Sequence, residues 1–405
     1  MLTYQYTARD PASGQKVSSI VEAESEQAAA KLLQSQGLAP IELKLKQEGS
    51  GFLDKLTHRI KTKDKVLFSR QLSTLINAGL PLVQSLHNVA GQTQNKNFEA
   101  LINKIISDVE SGTAFSVALA KFPAVFDAVF VNLIAAGETS GTLDKSLERL
   151  ADQKEKDAEI ISKVRGAMVY PVIVLLVMIG VIIFMVVKVV PAVEVVYVGI
   201  PGATLPLETR ILVAVANFIT KFWWVIIIAL AAMVAFGSRW ARTMGGKRII
   251  DKAKMRVWPI GPLFMKLYMA RFARIGSTLV ASGVPLIQML DITGKAINNI
   301  HLEESVHRAA DKVKGGKALS ASIKNDPNFL PLVPDMLHIG EQSGSIEQML
   351  AKTADYYEKE VDEEIQTIST VIEPVLMILM GVVALVVVTA VLLPIYSLVG
   401  KFNVT

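Results

Sequence analysis

The sequence predicts an all-α membrane protein: two homologous cytoplasmic helical bundles with three transmembrane helices, plus a small N-terminal α+β module. Three observations carry this. The stretch Met168–Val187 runs for 20 residues without a charge, and a bilayer core about 30 Å thick takes about 20 apolar residues of helix to cross. The stretch then returns: Pro171 falls on Pro374 and Pro191 on Pro394, both 203 residues apart. Upstream of each copy, apolar residues recur at helical spacing, punctuated by Gly and Pro.

Composition agrees. The 405 residues are 51% hydrophobic and 20% charged, with mean hydropathy +0.40. That is too apolar for a soluble enzyme and too charged for a chain lying wholly in lipid. The absence of cysteine rules out a disulfide framework, a thiol nucleophile and a Cys-based metal site. The net charge of +5 reads as membrane orientation rather than nucleic-acid binding. The N-terminus, MLTYQYTARDPASG, has no basic region followed by an apolar core, so insertion is expected through the internal spans.

In chain order, residues 1–46 read as a ββαβ module: strands near Leu2–Ala8, Val17–Ala23 and Ile41–Leu45, and a helix over Glu26–Gln36 stopped by Gly37. Residues 47–63 are a linker in which Phe52, Leu53, Leu56 and Ile60 share a helical face; it either packs on the next domain or lies on a membrane surface. Residues 64–167 form the first bundle, an antiparallel set of short-looped helices ending in the charged helix Leu143–Val164. A first span covers 168–190, an external loop 191–210 and a second span 211–237, with Trp223 and Trp224 suited to an interface belt. A basic connector covers 238–267, the second bundle 268–370, the third span 371–396 and an external tail 397–405. Lys154, Lys156, Lys163 and Arg165 before the first span, and Arg239 to Arg256 after the second, place the bundles and the N-terminus in the cytoplasm by the positive-inside rule.

The duplication extends through the bundles. FSRQLSTLINAGLPLVQSL (Phe68–Leu86) aligns with FARIGSTLVASGVPLIQML (Phe272–Leu290) at a shift of 204. Arg70/Arg274, Gly79/Gly283 and Pro81/Pro285 are identical pairs, the Gly stopping one helix and the Pro starting the next. GETSGTL (Gly137–Leu143) then meets GEQSGSI (Gly340–Ile346) at 203, pairing Glu138 with Glu341, Ser140 with Ser343 and Gly141 with Gly344. Two copies with the same orientation need one returning span between them, so three spans follow.

These motifs, present twice, resemble the inner-membrane platform proteins of type IV pili (PilC family) and their type II secretion counterparts (GspF family). The resemblance covers nearly the whole chain. It implies a non-enzymatic platform in a bacterial inner membrane that contacts cytoplasmic hexameric ATPases, other inner-membrane assembly proteins and pilin or pseudopilin subunits, and that forms homo-oligomers. No nucleic acid, metal or cofactor is implied. The residues agree. No G-x-x-x-x-G-K-[ST] loop occurs, since Lys314-Gly315-Gly316-Lys317 lacks the first glycine and the hydroxyl, and the five histidines show no ligand spacing.

Two readings stand for Glu138 and Glu341. In one they belong to a helix–turn–helix corner: Gly137 or Gly340 ends a helix, Ser140 or Ser343 caps the next, and the carboxylate accepts exposed backbone N–H groups. In the other they touch the ATPase or a neighbouring protomer. Arg70 and Arg274 are either partners of these carboxylates or contact residues. Pro171 and Pro374 are candidate kinks in the spans. A repeat-built transporter and a membrane-tethered scaffold are the rival classes. The first is disfavoured because Val172–Val187 and Val375–Leu393 contain no ionisable group.

Overall fold

The computed structural model describes residues 2–9, 16–23, 30, 32, 39–45, 60–192, 195 and 207–402. Most of the helix expected over Glu26–Gln36, of the 47–63 linker and of the 191–210 loop lies outside these residues. The chain divides into two compact units, one of residues 1–61 and 93–100 and the other of residues 62–92 and 101–405.

In the first unit, β1 (Leu2–Arg9), β2 (Lys16–Ala23) and β3 (Ala39–Leu45) form an antiparallel sheet of order β2-β1-β3. Leu2 pairs with Ala23 and Arg9 with Lys16 on one side of β1. On the other side Tyr4 pairs with Leu45, and the register shifts between Thr7 and Ala8.

The second unit is helical, and the helix starting at Lys96 has its first five residues in the first unit. Repeat 1 runs α1 (Thr62–Asn77), α2 (Leu82–Gln92), α3 (Lys96–Glu110), α4 (Phe115–Ala120), α5 (Ala128–Ser140) and α6 (Leu143–Phe184). A π-helical stretch, Met185–Val189, follows directly. Next come α7 (Leu207–Ala241) and α8 (Met244–Arg256). Repeat 2 mirrors the first with α9 (Ile260–Ala281), α10 (Leu286–Ile297), α11 (Ile300–Lys314), α12 (Leu319–Ile323), α13 (Leu332–Ser343) and α14 (Ile346–Phe402).

The two cores are built alike around a pair of aromatic rings. Phe68 on α1 packs on Phe126 with ring centroids 5.7 Å apart, and Phe272 on α9 packs on Phe329 at 5.3 Å. Leu72, Leu133, Leu147 and Leu150 are fully enclosed in repeat 1, as Leu279, Leu302, Val333 and Ala354 are in repeat 2. Each buried Leu or Phe contributes about 1.5–3 kcal/mol, and that burial, rather than local propensity, holds such short helices.

Three helices among the described residues are long and apolar enough to cross a membrane, within Leu143–Ala192, Val213–Ala241 and Ile346–Thr389. Their side chains are largely exposed, as lipid contact requires. They meet where Met185, Val186, Val190, Val213 and Ala216 pack with Val387 and Val391. The expected border between bundle and span does not exist as a break. Helix α6 is one 42-residue helix carrying both, with Pro171 inside it, and α14 is one 57-residue helix. The residues expected as an external tail are helical through Phe402, and α7 begins inside the expected loop, at Leu207. A helix in lipid satisfies its own backbone groups, so it continues until water can take over. Helix α7 departs from helical geometry at Phe222 (φ −111°, ψ 20°), next to Lys221.

Candidate functional site

The motif residues form two mirrored corners, one per repeat. Helix α5 does not end at Gly137. It continues to Ser140, and Gly141 supplies the left-handed cap at φ +69°. The Thr142 N–H then reaches the Gly137 carbonyl at 2.9 Å, closing the turn. In repeat 2, Gly344 caps α13 at φ +67°, and the Ser345 N–H reaches Gly340 O at 2.9 Å. This corrects the role expected of Gly137 and Gly340. They lie within their helices and are buried because the next helix crosses there. A Cβ at Gly137 would sit 2.6 Å from Ser146 Oγ, and one at Gly340 would sit 2.9 Å from Ile346 Cα.

Ser140 and Ser343 do not cap the following helix. Their hydroxyls donate backwards to Ala136 O and Ile339 O, both at 2.7 Å. A serine already inside a helix finds a carbonyl four residues back more readily than an N–H ahead.

Glu138 and Glu341 do accept backbone N–H groups, but not those of the adjacent helix. Glu138 takes Phe115 N at 2.6 Å and Ser116 N at 3.0 Å, and also the Ser116 hydroxyl. Glu341 takes Leu319 N at 2.5 Å and Ser320 N at 3.3 Å, with the Ser320 hydroxyl. Each carboxylate is a remote cap for a short helix whose own N-cap residue, Ala114 or Ala318, offers no side-chain acceptor. A carboxylate so placed stabilises a helix start by about 0.3–1 kcal/mol, up to about 2 kcal/mol when partly buried. Both oxygens of Glu138 are engaged in this cap.

Arg70 and Arg274 are not the partners of Glu138 and Glu341. Arg70 holds Glu155 through both ends of its guanidinium, Nε to Oε1 at 2.6 Å and Nη2 to Oε2 at 2.5 Å, and reaches Asp152 Oδ1 at 2.6 Å. Arg274 repeats the clamp on Glu358, at 2.8 Å for both bonds, and on Asp355 at 2.5 Å. The reason is direction: Arg70 and Arg274 face the bundle half of α6 and α14, whereas Glu138 and Glu341 face the short helices. Hydrogen bonding to Glu155 raises the Arg70 pKa, and the same bond draws the Glu155 carboxyl below the usual range. For Arg274 burial opposes the charge, but Glu358 and Asp355 outweigh it and its pKa also rises.

The acidic partners were missed in the sequence although a signal existed. Asp152-x-x-Glu155-Lys156 and Asp355-x-x-Glu358-Lys359 coincide at the same 203-residue shift.

The remaining motif residues shape corners. Gly79 (φ +85°) and Gly283 (φ +81°) follow α1 and α9, with Leu80 N bonded to Leu75 O at 3.1 Å and Val284 N to Leu279 O at 3.0 Å. Pro81 and Pro285 directly precede α2 and α10. Pro171 is buried and Pro374 exposed, and the helix passes through both.

The repeats also touch each other. Lys163 on α6 bonds Asp362 on α14 at 2.6 Å, and Gln288 donates to Asn132 at 3.0 Å. Beside these contacts a cleft of about 390 Å³ carries Arg149, Lys156, Arg274, Glu347 and Asp355, so a partner seated there would meet both repeats.

This fold and these corners define a tandem-repeat helical protein with three membrane-length helices. Residues 68–191 and 272–394 each match the model of "Type II secretion system (T2SS), protein F", and residues 1–44 match its N-terminal domain. The chain belongs to the type II secretion system protein F family. It is similar to a Thermus thermophilus protein named type IV pilus assembly protein PilC, at 39% identity over 100% of both chains. A Pseudomonas aeruginosa protein of the same name is 35% identical over 90% of this chain and 97% of that one. A Pseudomonas aeruginosa type II secretion system protein F is 34% identical over 98% of this chain and 99% of its own.

Proposed function

We propose that the chain is the inner-membrane platform of a type IV pilus assembly machine. In this role it couples cytoplasmic hexameric ATPases to the insertion and extraction of pilin subunits and catalyses no reaction itself. The observation that carries this is the continuity of α6 and α14. Each is anchored in its bundle by an arginine clamp and runs unbroken into a membrane-length apolar stretch. A partner that turns a bundle therefore turns a span. Similarity to proteins named for type IV pilus assembly over the full chain supports the choice of machine. The bundles lie in the cytoplasm, where an ATPase can reach them, and the C-terminus lies outside. The apolar groove lined by Ile173, Val177, Val181, Met380 and Val387, about 430 Å³, is a seat of the right chemistry for a pilin's membrane segment.

A second reading, a platform for pseudopilus assembly in type II secretion, is favoured by the similarity to proteins named for that system. The test is genetic and biochemical. Pro171→Ala with Pro374→Ala should leave membrane insertion and ATPase co-purification intact and reduce filament number. Normal filaments at normal protein levels would overturn a role for the two prolines in carrying bundle motion along α6 and α14 into the spans, and failure to co-purify any hexameric ATPase from cells making the unmodified protein would overturn the platform.

A further inference from the structure

Helix α8 falls outside both matched repeats and is held at its start and its middle. At its start, the Thr243 hydroxyl accepts from Gly246 N at 3.2 Å. Gly246 is buried so tightly on the last turn of α7 that a Cβ would lie 2.1 Å from the Trp240 carbonyl oxygen. Further along, Asp251, 2% exposed, accepts from Ile300 N at 3.2 Å, and His301 Nε2 lies 3.0 Å from Arg248 O. The helix is a strut from the end of a membrane-length helix to bundle 2.

The outward face of the strut is distinctive. At 100° per residue Arg248, Ile249, Lys252 and Arg256 share one arc, and all are exposed, Ile249 by 59%. Exposed Trp240 and Met244 stand at one end, and Val257 and Trp258 (74% exposed) at the other. Arg248 pairs with Glu304 and Lys254 with Asp251. Among the described residues Arg239, Arg242, Lys247, Lys252 and Arg256 meet no carboxylate. Water would satisfy the cations but not the tryptophans, and a protein core would satisfy the tryptophans but not five unpaired cations. The zone of anionic headgroups over acyl chains satisfies both. Only Arg242 and Thr243 separate α8 from the bilayer-length α7, so that zone is within reach.

We infer that α8 is an in-plane interfacial helix whose outer face binds anionic phospholipid headgroups, and that it thereby sets the height of bundle 2 above the membrane. The inference rests on the membrane placement of α7 and not on which filament the protein serves.

The full-length chain, which contains no cysteine, is tested with a nitroxide on Ile249→Cys. Vesicles are of phosphatidylcholine alone or of phosphatidylcholine and phosphatidylglycerol in equal amounts. In the anionic vesicles, oxygen should relax the label more than a water-soluble nickel chelate does. In phosphatidylcholine alone, or with Lys252→Glu and Arg256→Glu added, nickel accessibility should rise severalfold. A label on Lys324→Cys, an exposed position at the end of α12 in bundle 2, should stay water-exposed throughout, which reports that the variants fold. Three results overturn the inference: nickel dominance at 249 in anionic vesicles, exclusion of both relaxants there (a protein covers the face), or lipid exposure unchanged by the charge reversals.

Discussion

Arg70 and Glu155, 85 residues apart in the chain, form a two-point ion pair that pins α1 to the bundle half of α6, with bonds of 2.6 and 2.5 Å. The pair Arg274–Glu358 does the same for α9 and α14. The two clamps differ in burial. Arg274 and Glu358 are 22% and 15% exposed, against 37% and 41% for Arg70 and Glu155. Exposed ion pairs contribute about 0–1 kcal/mol, and hydrogen-bonded, shielded ones contribute more. Lysine cannot reproduce the fork. Arg274→Lys should therefore cost about 2 kcal/mol and Arg70→Lys about 1 kcal/mol, read as the difference in unfolding midpoints of the purified protein. Equal losses would show that burial does not separate the two clamps.

The glycines inside the mirrored corners are set by close approach. Gly137→Ala drives a methyl into Ser146, and Gly340→Ala drives one onto the Ile346 backbone. Each should destabilise its repeat by about 1–3 kcal/mol through overpacking, and Gly340→Ala more, because a main-chain Cα yields less than a serine hydroxyl. Pairing Gly137→Ala with Ser146→Gly should recover part of the loss in the same thermal measurement.

Acid should loosen the first clamp. The Glu155 carboxyl is held below its ordinary range by Arg70. A depressed carboxylate adds stability above its unfolded pKa, near about 4.3 for Glu. That contribution fades as pH falls through the folded value. Stability should thus be level in this respect through neutral pH and decline below about pH 4. Glu155→Gln should flatten that part of the profile, measured as unfolding midpoint against pH.

Orientation is tested by labelling. With no native cysteine, an impermeant maleimide should label a cysteine placed at Gly202 or Asn403 in cells whose inner membrane is exposed and intact, and should not label one at Gly316. Labelling of Gly316 would place bundle 2 outside and overturn the proposed contact with a cytoplasmic ATPase.

Replacing Glu138 or Glu341 by Gln keeps an acceptor but removes the charge that two N–H groups and a hydroxyl share. Each change should cost about 1 kcal/mol and spare partner recruitment, measured by co-purification of the proposed hexameric ATPase. Loss of recruitment with a normal unfolding midpoint would return these residues to the interface.

Much was determined by local pattern. The apolar stretches, their doubling at 203 residues and the turn glycines Gly79, Gly141, Gly283 and Gly344 are consequences of chain chemistry that acts within one or two turns or across one bilayer. The same patterning cannot say which distant groups meet. That Glu138 would cap a helix beginning 23 residues earlier, that Arg70 would ignore it for Glu155, and that Gly137 would be a packing residue rather than a stop all depend on how α5 crosses α6 and folds over α4. Crossing is decided by the shape of the filled core, in which Phe68, Phe126 and Leu147 are fully buried and close packing leaves little room for alternatives. Sequence determined what each segment is. Tertiary packing decided which carboxylate each arginine and each short helix would receive, because a charge pairs with whatever the core brings within 3 Å.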